Sequence, residues 1–581
     1  MKIRRGRSYV FVSVVWSLVQ GAGLYVYNST GLSLRGISAT HCASSSYGGA
    51  ISIVSSSISL SNVAVSSSRA AVGGGISLVS STVSLATSSV ISSRAATYGG
   101  GIFASSSVLN FTAVTISGNA ASGQQGGGMF LEAVQMTLRN SSVANNTAAS
   151  TVDGMGGGAA LLSSWLTDTF NVWHNNSATV GGGAVVCTGL RSRPSAAISS
   201  TSGLVTGNHG GSGGAYFLEN CPVTWNGLTV SANKATGAGG GAVYVLGNAL
   251  VSVNATIVTN NSASLGHGGA FFINSINMWP FCLSLSNSSV VRGNSAPNGG
   301  GGSVYWLVPS MTTATVRDAD AFSCLTCSDN DAAYGKSGAT NGIALNVQSN
   351  TMSNPTVQNS LQTLTGTLVY QLVDFYGQVV ASDNSSTVAI GPSSRDVGLT
   401  GQFNLPLSQG VVNFSGTFKI SGIPGSLVNL TVSCSLNSVV LPPPETIYLR
   451  SCMNGEVNAN SMCTACSLGT YAGATDTECR PCPGGSFGNR TGLSSPNCSG
   501  VCAVGYWCPP YSVTAKQVPC GSASLYCPAK SSAPVAVSSG YYSTADQSSQ
   551  ERCNAGSYCS GGVQSPCPRG SYQTDGASAS W

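Results

Sequence analysis

Gly239-Gly240-Gly241-Ala242-Val243-Tyr244-Val245, then Leu250-Val251-Ser252-Val253, then Val258-Thr259-Asn260-Asn261, then Gly268-Gly269-Ala270-Phe271-Phe272-Ile273 spell out one period of this chain and the start of the next. A glycine cluster opens the period. Three short runs follow, the last ending in an asparagine. Alternation over a few residues, bounded by Gly, Ser and Asn, reads as short β-strands, and no helical period runs through the region. The same glycine beat falls at Gly48-Gly49, Gly73 to Gly75, Gly99 to Gly101, Gly126 to Gly128, Gly156 to Gly158, Gly181 to Gly183, Gly213-Gly214 and Gly299 to Gly302, with a weaker copy at Gly21 and Gly23. The last glycine of each cluster follows the one before by 25 to 33 residues. A recurrence of this length marks a repeat architecture. Three strands per repeat and one repeat per coil predict an all-β chain built on a parallel β-helix of about 11 coils across residues 21–307.

An apolar residue, two spacers and an asparagine recur as Ile116-x-x-Asn119, Val143-x-x-Asn146, Trp173-x-x-Asn176, Val205-x-x-Asn208, Val230-x-x-Asn233, Val258-x-x-Asn261 and Val291-x-x-Asn294. Thr40, Ser68 and Arg94 are read at that place in the first three copies. Asparagines at one place in successive coils are expected to stack as a structural ladder, each amide donating to the next coil and each residue accepting the left-handed backbone of a corner. The glycines are expected at another corner, where a Cβ is excluded. The pattern resembles the GGA and xxN repeats of polymorphic outer-membrane proteins, and right-handed β-helix proteins more widely. That resemblance implies a right-handed helix and an adhesin-like surface.

Only 7% of the 581 residues are charged, against about a quarter in an average globular protein. Ser, Thr, Asn, Gly and Ala replace the charges, a secreted β-rich composition. The net charge of +5 draws on Lys2, Arg4, Arg5 and Arg7, and the rest is nearly neutral, so nucleic acid is not an expected partner. Residues 1–20, basic and then apolar from Tyr9 to Val19, read equally as a signal peptide or as a strand of a truncated coil. Thirteen N-x-S/T sequons begin at Asn28, Asn110, Asn140, Asn145, Asn175, Asn254, Asn260, Asn287, Asn384, Asn413, Asn429, Asn489 and Asn497, candidates for N-glycosylation. Together with the cysteines they favour a secretory route.

After Ser303 the beat stops. Residues 308–342, with Cys324 and Cys327, read as a terminal coil or cap over the solenoid end. Residues 343–450 alternate cleanly at Leu427-Val-Asn-Leu-Thr-Val-Ser-Cys434, and several short strands at this spacing predict an immunoglobulin-like β-sandwich acting as a spacer.

Residues 451–581 hold thirteen of the 20 cysteines. Loops this rich in Gly, Ser and Pro cannot bury an adequate core, so a disulfide framework is expected. The candidates are Cys324, Cys327, Cys434, Cys452, Cys463, Cys466, Cys479, Cys482, Cys498, Cys502, Cys508, Cys520, Cys527, Cys553, Cys559 and Cys567, and spacing does not fix their pairing. Cys463-x-x-Cys466 and Cys479-x-x-Cys482 also have the spacing of a zinc ribbon, but the export signals argue for oxidation and no metal is assigned. The units Cys466-Ser-Leu-Gly-Thr-Tyr, Cys482-Pro-Gly-Gly-Ser-Phe and Cys567-Pro-Arg-Gly-Ser-Tyr resemble ephrin-receptor-like cysteine-rich modules of large surface proteins in eukaryotic microbes. The resemblance implies cysteines paired in short loops within a disulfide-rich, loop-dominated extracellular stalk, with membrane association only through segments absent from this chain. Kinase motifs are lacking, so no kinase activity is implied.

β-Helices also carry polysaccharide lyases and hydrolases, which need clustered carboxylates. The solenoid is poor in them: Glu132, Asp153, Asp168 and Glu219. Asp168 with Trp165, Trp173 and His174 is the one candidate cluster, and the more economical reading is a loop aspartate beside core aromatics. His41, His209 and His267 are scattered over distant coils as polar fillers. No catalytic residue and no cofactor is assigned. The expected function is extracellular or cell-surface adhesion, binding glycans or surface proteins. A glycan-cleaving enzyme and a purely structural wall component are the alternatives.

Overall fold

The computed structural model describes residues 23–190, 195–275, 283–286, 288–308, 327–351 and 356–574, and the backbone of two short antiparallel strands, Lys2–Arg5 and Ser8–Phe11. Cys324, Asn287 and the rest of the leader-like segment lie outside them. All regular structure among these residues is β; there is no helix.

The glycine-led runs form the first face of a solenoid. Its parallel sheet holds twelve strands, from Leu24–Tyr27 through Ile76–Val79, Met129–Glu132 and Phe271–Asn274 to Gly338–Thr340. Register is strict, with Ile51 beside Ile76, Ile76 beside Ile102 and Ile102 beside Met129. The two later runs of each repeat build a second stack, continuous through the long strands Thr82–Ile91 and Val108–Ser117. Ten short strands, from Arg69–Ala70 to Asp331–Tyr334, close the coil as a third face. The segment after the glycine beat is thus one more coil, because Asp331–Tyr334 and Gly338–Thr340 pair in parallel with the coil before. Inward positions of successive coils pack into one core, with Phe111, Trp173, Tyr216, Trp225, Phe271 and Trp306 among its large side chains. Each such apolar burial contributes about 1.5–3 kcal/mol.

Glycine is required at the corner before the first face. Gly126 has φ of 76°, and a Cβ on its neighbour Gly127 would lie 2.4 Å from the carbonyl carbon of Thr147. The opposite corner carries the asparagines. Asn146 donates from Nδ2 to Asn176 Oδ1 at 2.9 Å and to Ile116 O at 2.9 Å, and its backbone N–H reaches the same Oδ1 at 3.1 Å. The motif repeats through Asn119, Asn146, Asn176, Asn208, Asn233, Asn261 and Asn294, and runs on to Asn330. Every polar atom of a buried amide is thereby used.

Two details of the sequence reading are corrected. The ladder asparagines do not take the left-handed backbone. The residue before each one does: Gly118, Asn145, Asn175, Gly207, Ala232, Asn260 and Gly293. The ladder side chain needs ordinary geometry to point inward, so the reversal falls one residue earlier. By register, Ser93 and Cys42 occupy the asparagine place in the early coils rather than Arg94 and Thr40, and Ser93 N donates to Asn119 Oδ1 at 2.8 Å. A serine ladder that the sequence reading missed turns the first corner, with Ser56 N on Ser81 Oγ at 3.1 Å and Ser81 N on Ser107 Oγ at 3.0 Å.

Beyond Thr340 a three-stranded antiparallel sheet, a five-stranded mostly antiparallel sheet and a two-stranded ribbon enclose a second core with Leu368, Tyr370, Phe414 and Phe418. The tail is a string of seven two-stranded hairpins held by six disulfides among the described residues. Its disulfides join neighbours in sequence: Cys452–Cys463, Cys466–Cys479, Cys482–Cys498, Cys502–Cys508, Cys520–Cys527 and Cys553–Cys559. The four cysteines with zinc-ribbon spacing enter three separate disulfides. Cys327 is also disulfide-bonded. Cys434 and Cys567, read as disulfide candidates, are free thiols, as is Cys42. No described cysteine stands within bonding reach of either. The Cys187–Cys221 bridge, buried inside the solenoid, was not among the disulfide candidates read from the sequence. This many disulfides mark an oxidising, extracellular environment.

Candidate functional site

The middle residue of each first-face strand points out of the solenoid. Strict alternation would make these positions polar and exposed. Instead the series reads Tyr25, Ser52, Ser77, Phe103, Phe130, Ala160, Val186, Phe217, Tyr244, Phe272, Tyr305 and Ala339, placed side by side by register. Coils repeat at strand spacing, about 4.8 Å, which suits ring stacking. Phe103 and Phe130 stack with centroids 5.8 Å apart and planes 2° apart. Farther along, Phe217 stacks on Tyr244 at 5.1 Å, Tyr244 on Phe272 at 4.8 Å and Phe272 on Tyr305 at 5.2 Å. Ala160 and Val186 separate the two stacks.

Corner side chains wall this series into a groove. Tyr98 leans on Phe130 with centroids 4.5 Å apart, and Val72 and Met155 pack along the same edge. The C-terminal end is covered: Phe272 and Tyr305 belong to the core of the second unit, with Leu372 and Val380. There His267 stacks on Tyr305 at 4.2 Å and its Nδ1 accepts the Gly300 N–H at 2.9 Å. Burial pushes the His267 pKa down to about 4, so the ring is neutral.

Among the described residues nothing covers the N-terminal end. A cavity of about 350 Å³ lies there, walled by Tyr47 and Phe103 and floored by Ser52 and Ser77, with Ser105 and Glu132 at its rim. Its volume is in the range of small-ligand pockets, and its mixture of aromatic wall and few polar groups is typical of them. The Ser105 hydroxyl donates to Glu132 Oε2 at 3.3 Å. The Ser77 hydroxyl is fully buried and has no hydrogen-bond partner, a condition that costs about 1–3 kcal/mol. Neither the groove nor this cavity was recognised in the sequence. The available signal was the aromatic residue at outward positions of the post-glycine runs.

The candidate cluster at Asp168 is dismantled. Asp168 sits in the strand Trp165–Thr169, not in a loop, and its side chain points into the core. It accepts from Asn171 Nδ2 and, at 3.1 Å, from Trp173 Nε1. Trp173 is buried inside, whereas Trp165 is 42% exposed on the outside, so the two rings cannot line one sugar site. His174 is half-buried and His41 and His209 are exposed; His209 lies on the next coil, beside Ser177, and His41 on a distant one. Glu132 and Glu219 hold equivalent register positions three coils apart.

Of the sequon asparagines, Asn28, Asn110, Asn140, Asn145, Asn175, Asn384, Asn413, Asn429, Asn489 and Asn497 are exposed, as is Asn260. Asn254 is half-buried and donates to Asn226 Oδ1 at 3.2 Å. Scans against protein-family models and against curated proteins find no match to this chain.

Proposed function

We propose that this chain is an extracellular recognition protein that binds glycans or cell-surface proteins along the outer groove of its first face. One observation carries the reading: aromatic side chains stack along the outer side of the first face at consecutive coils, with Phe217 and Tyr244 still half-exposed, where a merely structural solenoid needs only polar residues. Aromatic faces supply large contact area at small entropy cost. A rigid row of them turns many weak contacts into avidity. The second unit and the disulfide-stapled tail then serve as spacer and stalk, holding the groove away from its point of attachment.

The test is saturable binding of the secreted chain to intact cells and to a glycan array, repeated with Phe217→Ser and Tyr244→Ser. Both rings are half-buried, Phe217 against the cluster of Phe103, Phe130, Ala160 and Val186 and Tyr244 against the second core, so the Tm of each variant is measured beside its binding to separate lost contact from lost fold. Loss of binding in both variants supports the groove. Binding that neither variant weakens overturns it, and no saturable binding at all favours a structural wall component.

A further inference from the structure

Resting on the reading of the first face as the recognition surface, we infer that the cavity at its N-terminal end holds one uncharged pyranose residue of a glycan and rejects uronic and sialic acid residues. Three features of the cavity converge on this chemistry.

The first is its wall. Tyr47 and Phe103 stand with ring centroids 5.9 Å apart, tilted by 53°. Two tilted rings offer apolar faces to the C–H surface of a sugar ring while leaving its hydroxyl edge free. Tyr47 belongs to the coil that carries Ser52 and is paired with Val72 of the next coil, which carries Ser77; Phe103 lies one coil beyond that. The Tyr47 ring therefore crosses the level of Ser77 and roofs it. Being 42% exposed, Tyr47 has room to turn aside.

The second is the floor. Ser77 lines the cavity, and its Oγ, without accessible surface or partner in this structure, becomes reachable when the Tyr47 ring turns aside. Buried hydroxyls in folded proteins are nearly always paired, so an orphan facing a cavity asks for a polar occupant. A hydrocarbon chain would leave it orphaned. An extended peptide would find no free backbone edge here, because the strands on both sides of Ser77 already pair with it. A sugar hydroxyl satisfies it as donor or acceptor.

The third is charge. Among the residues lining this cavity, Glu132 is the one acidic or basic side chain. Its carboxylate at the rim accepts from sugar hydroxyls and repels an anionic sugar at short range.

The experiment uses the full chain against neutral gluco-, manno- and N-acetylglucosamine oligosaccharides, with polygalacturonate and polysialic acid as acidic probes. Saturable binding to a neutral oligosaccharide and none to the acidic polymers is expected. Ser77→Ala should weaken that binding about tenfold while leaving Tm unchanged or higher, since it removes an unsatisfied hydroxyl. Glu132→Gln should weaken neutral binding and admit the acidic polymers. Failure of every neutral probe, preference for the acidic ones, or neutral binding indifferent to both variants overturns the pocket. If cell binding is lost in Phe217→Ser and Tyr244→Ser but stays intact in Ser77→Ala and Glu132→Gln, the recognition face stands and the sugar pocket alone falls. If none of the four variants changes cell binding, both readings fall.

Discussion

Trp173 Nε1 donates to Asp168 Oδ2 at 3.1 Å inside the solenoid, with both residues buried. The pair links two strands of one coil through the core. Tyr216, from a later coil, is near enough for the carboxylate to add to the upward pKa shift that burial already gives its phenol, which stays protonated.

Burial raises the Asp168 pKa from 3.8 to about 6, more than its bonds from Asn171 and Trp173 lower it. A carboxyl whose folded pKa is raised disfavours folding when ionised. The cost is absent below about pH 4, grows between about pH 4 and 6, and is complete above that, on the order of 3 kcal/mol. Wild-type stability should therefore fall across this window. Asp168→Asn, which keeps an acceptor for Trp173, should flatten the fall. Denaturant unfolding at pH 4, 5, 6 and 7 checks it; equal slopes in the two proteins would contradict it.

Asn176 supplies the acceptor for both the backbone N–H and Nδ2 of Asn146, and itself bonds Val143 O at 2.9 Å. Asn176→Ala leaves several buried groups unpaired at about 1–3 kcal/mol each, so a loss of roughly 3 kcal/mol or more is expected. Its neighbour Asn175 is exposed at φ of 53°, where glycine fits as well. Asn175→Gly should shift stability by about 0.5 kcal/mol or less. Thermal unfolding of the two variants side by side separates ladder from corner.

Cys187–Cys221 ties adjacent coils over a separation of 34 residues. Replacing both cysteines with alanine should cost about 2–4 kcal/mol. Non-reducing peptide mapping should recover the tail cysteines as sequence neighbours, such as Cys466 with Cys479. Alkylation without reductant should label Cys42, Cys434 and Cys567.

Expression in a glycosylating eukaryotic host should separate the sequons by exposure. Asn145, Asn175 and Asn260 stand exposed at one corner, and occupancy is expected there. Asn254, half-buried and bonded to Asn226, should stay bare. Glycopeptide mass spectrometry reads the result site by site.

The solenoid was legible because its determinants are local and repeated. Gly126 to Gly128 and Asn146 recur at a spacing that only a coil of three short strands satisfies. Asp168 was misjudged because the residues around it, Thr167 and Thr169, look like loop, while the tryptophan that buries it arrives five positions later. The left-handed residue was placed one position late for a similar reason. Asparagine is common both in ladders and at positive φ, and Asn145-Asn146 contains one of each.

The sequence by itself determined the parallel coil, its glycine corner, its asparagine ladder and the oxidised character of the tail, since each follows from the backbone preference or chemistry of residues at fixed intervals. Only the tertiary structure decided which cysteines pair, which way Asp168 points, and that Tyr47, Ser77 and Phe103 from three coils enclose one cavity. Those outcomes depend on side chains brought together by coil stacking across 25 or more residues, a distance at which neither periodicity nor composition specifies contact.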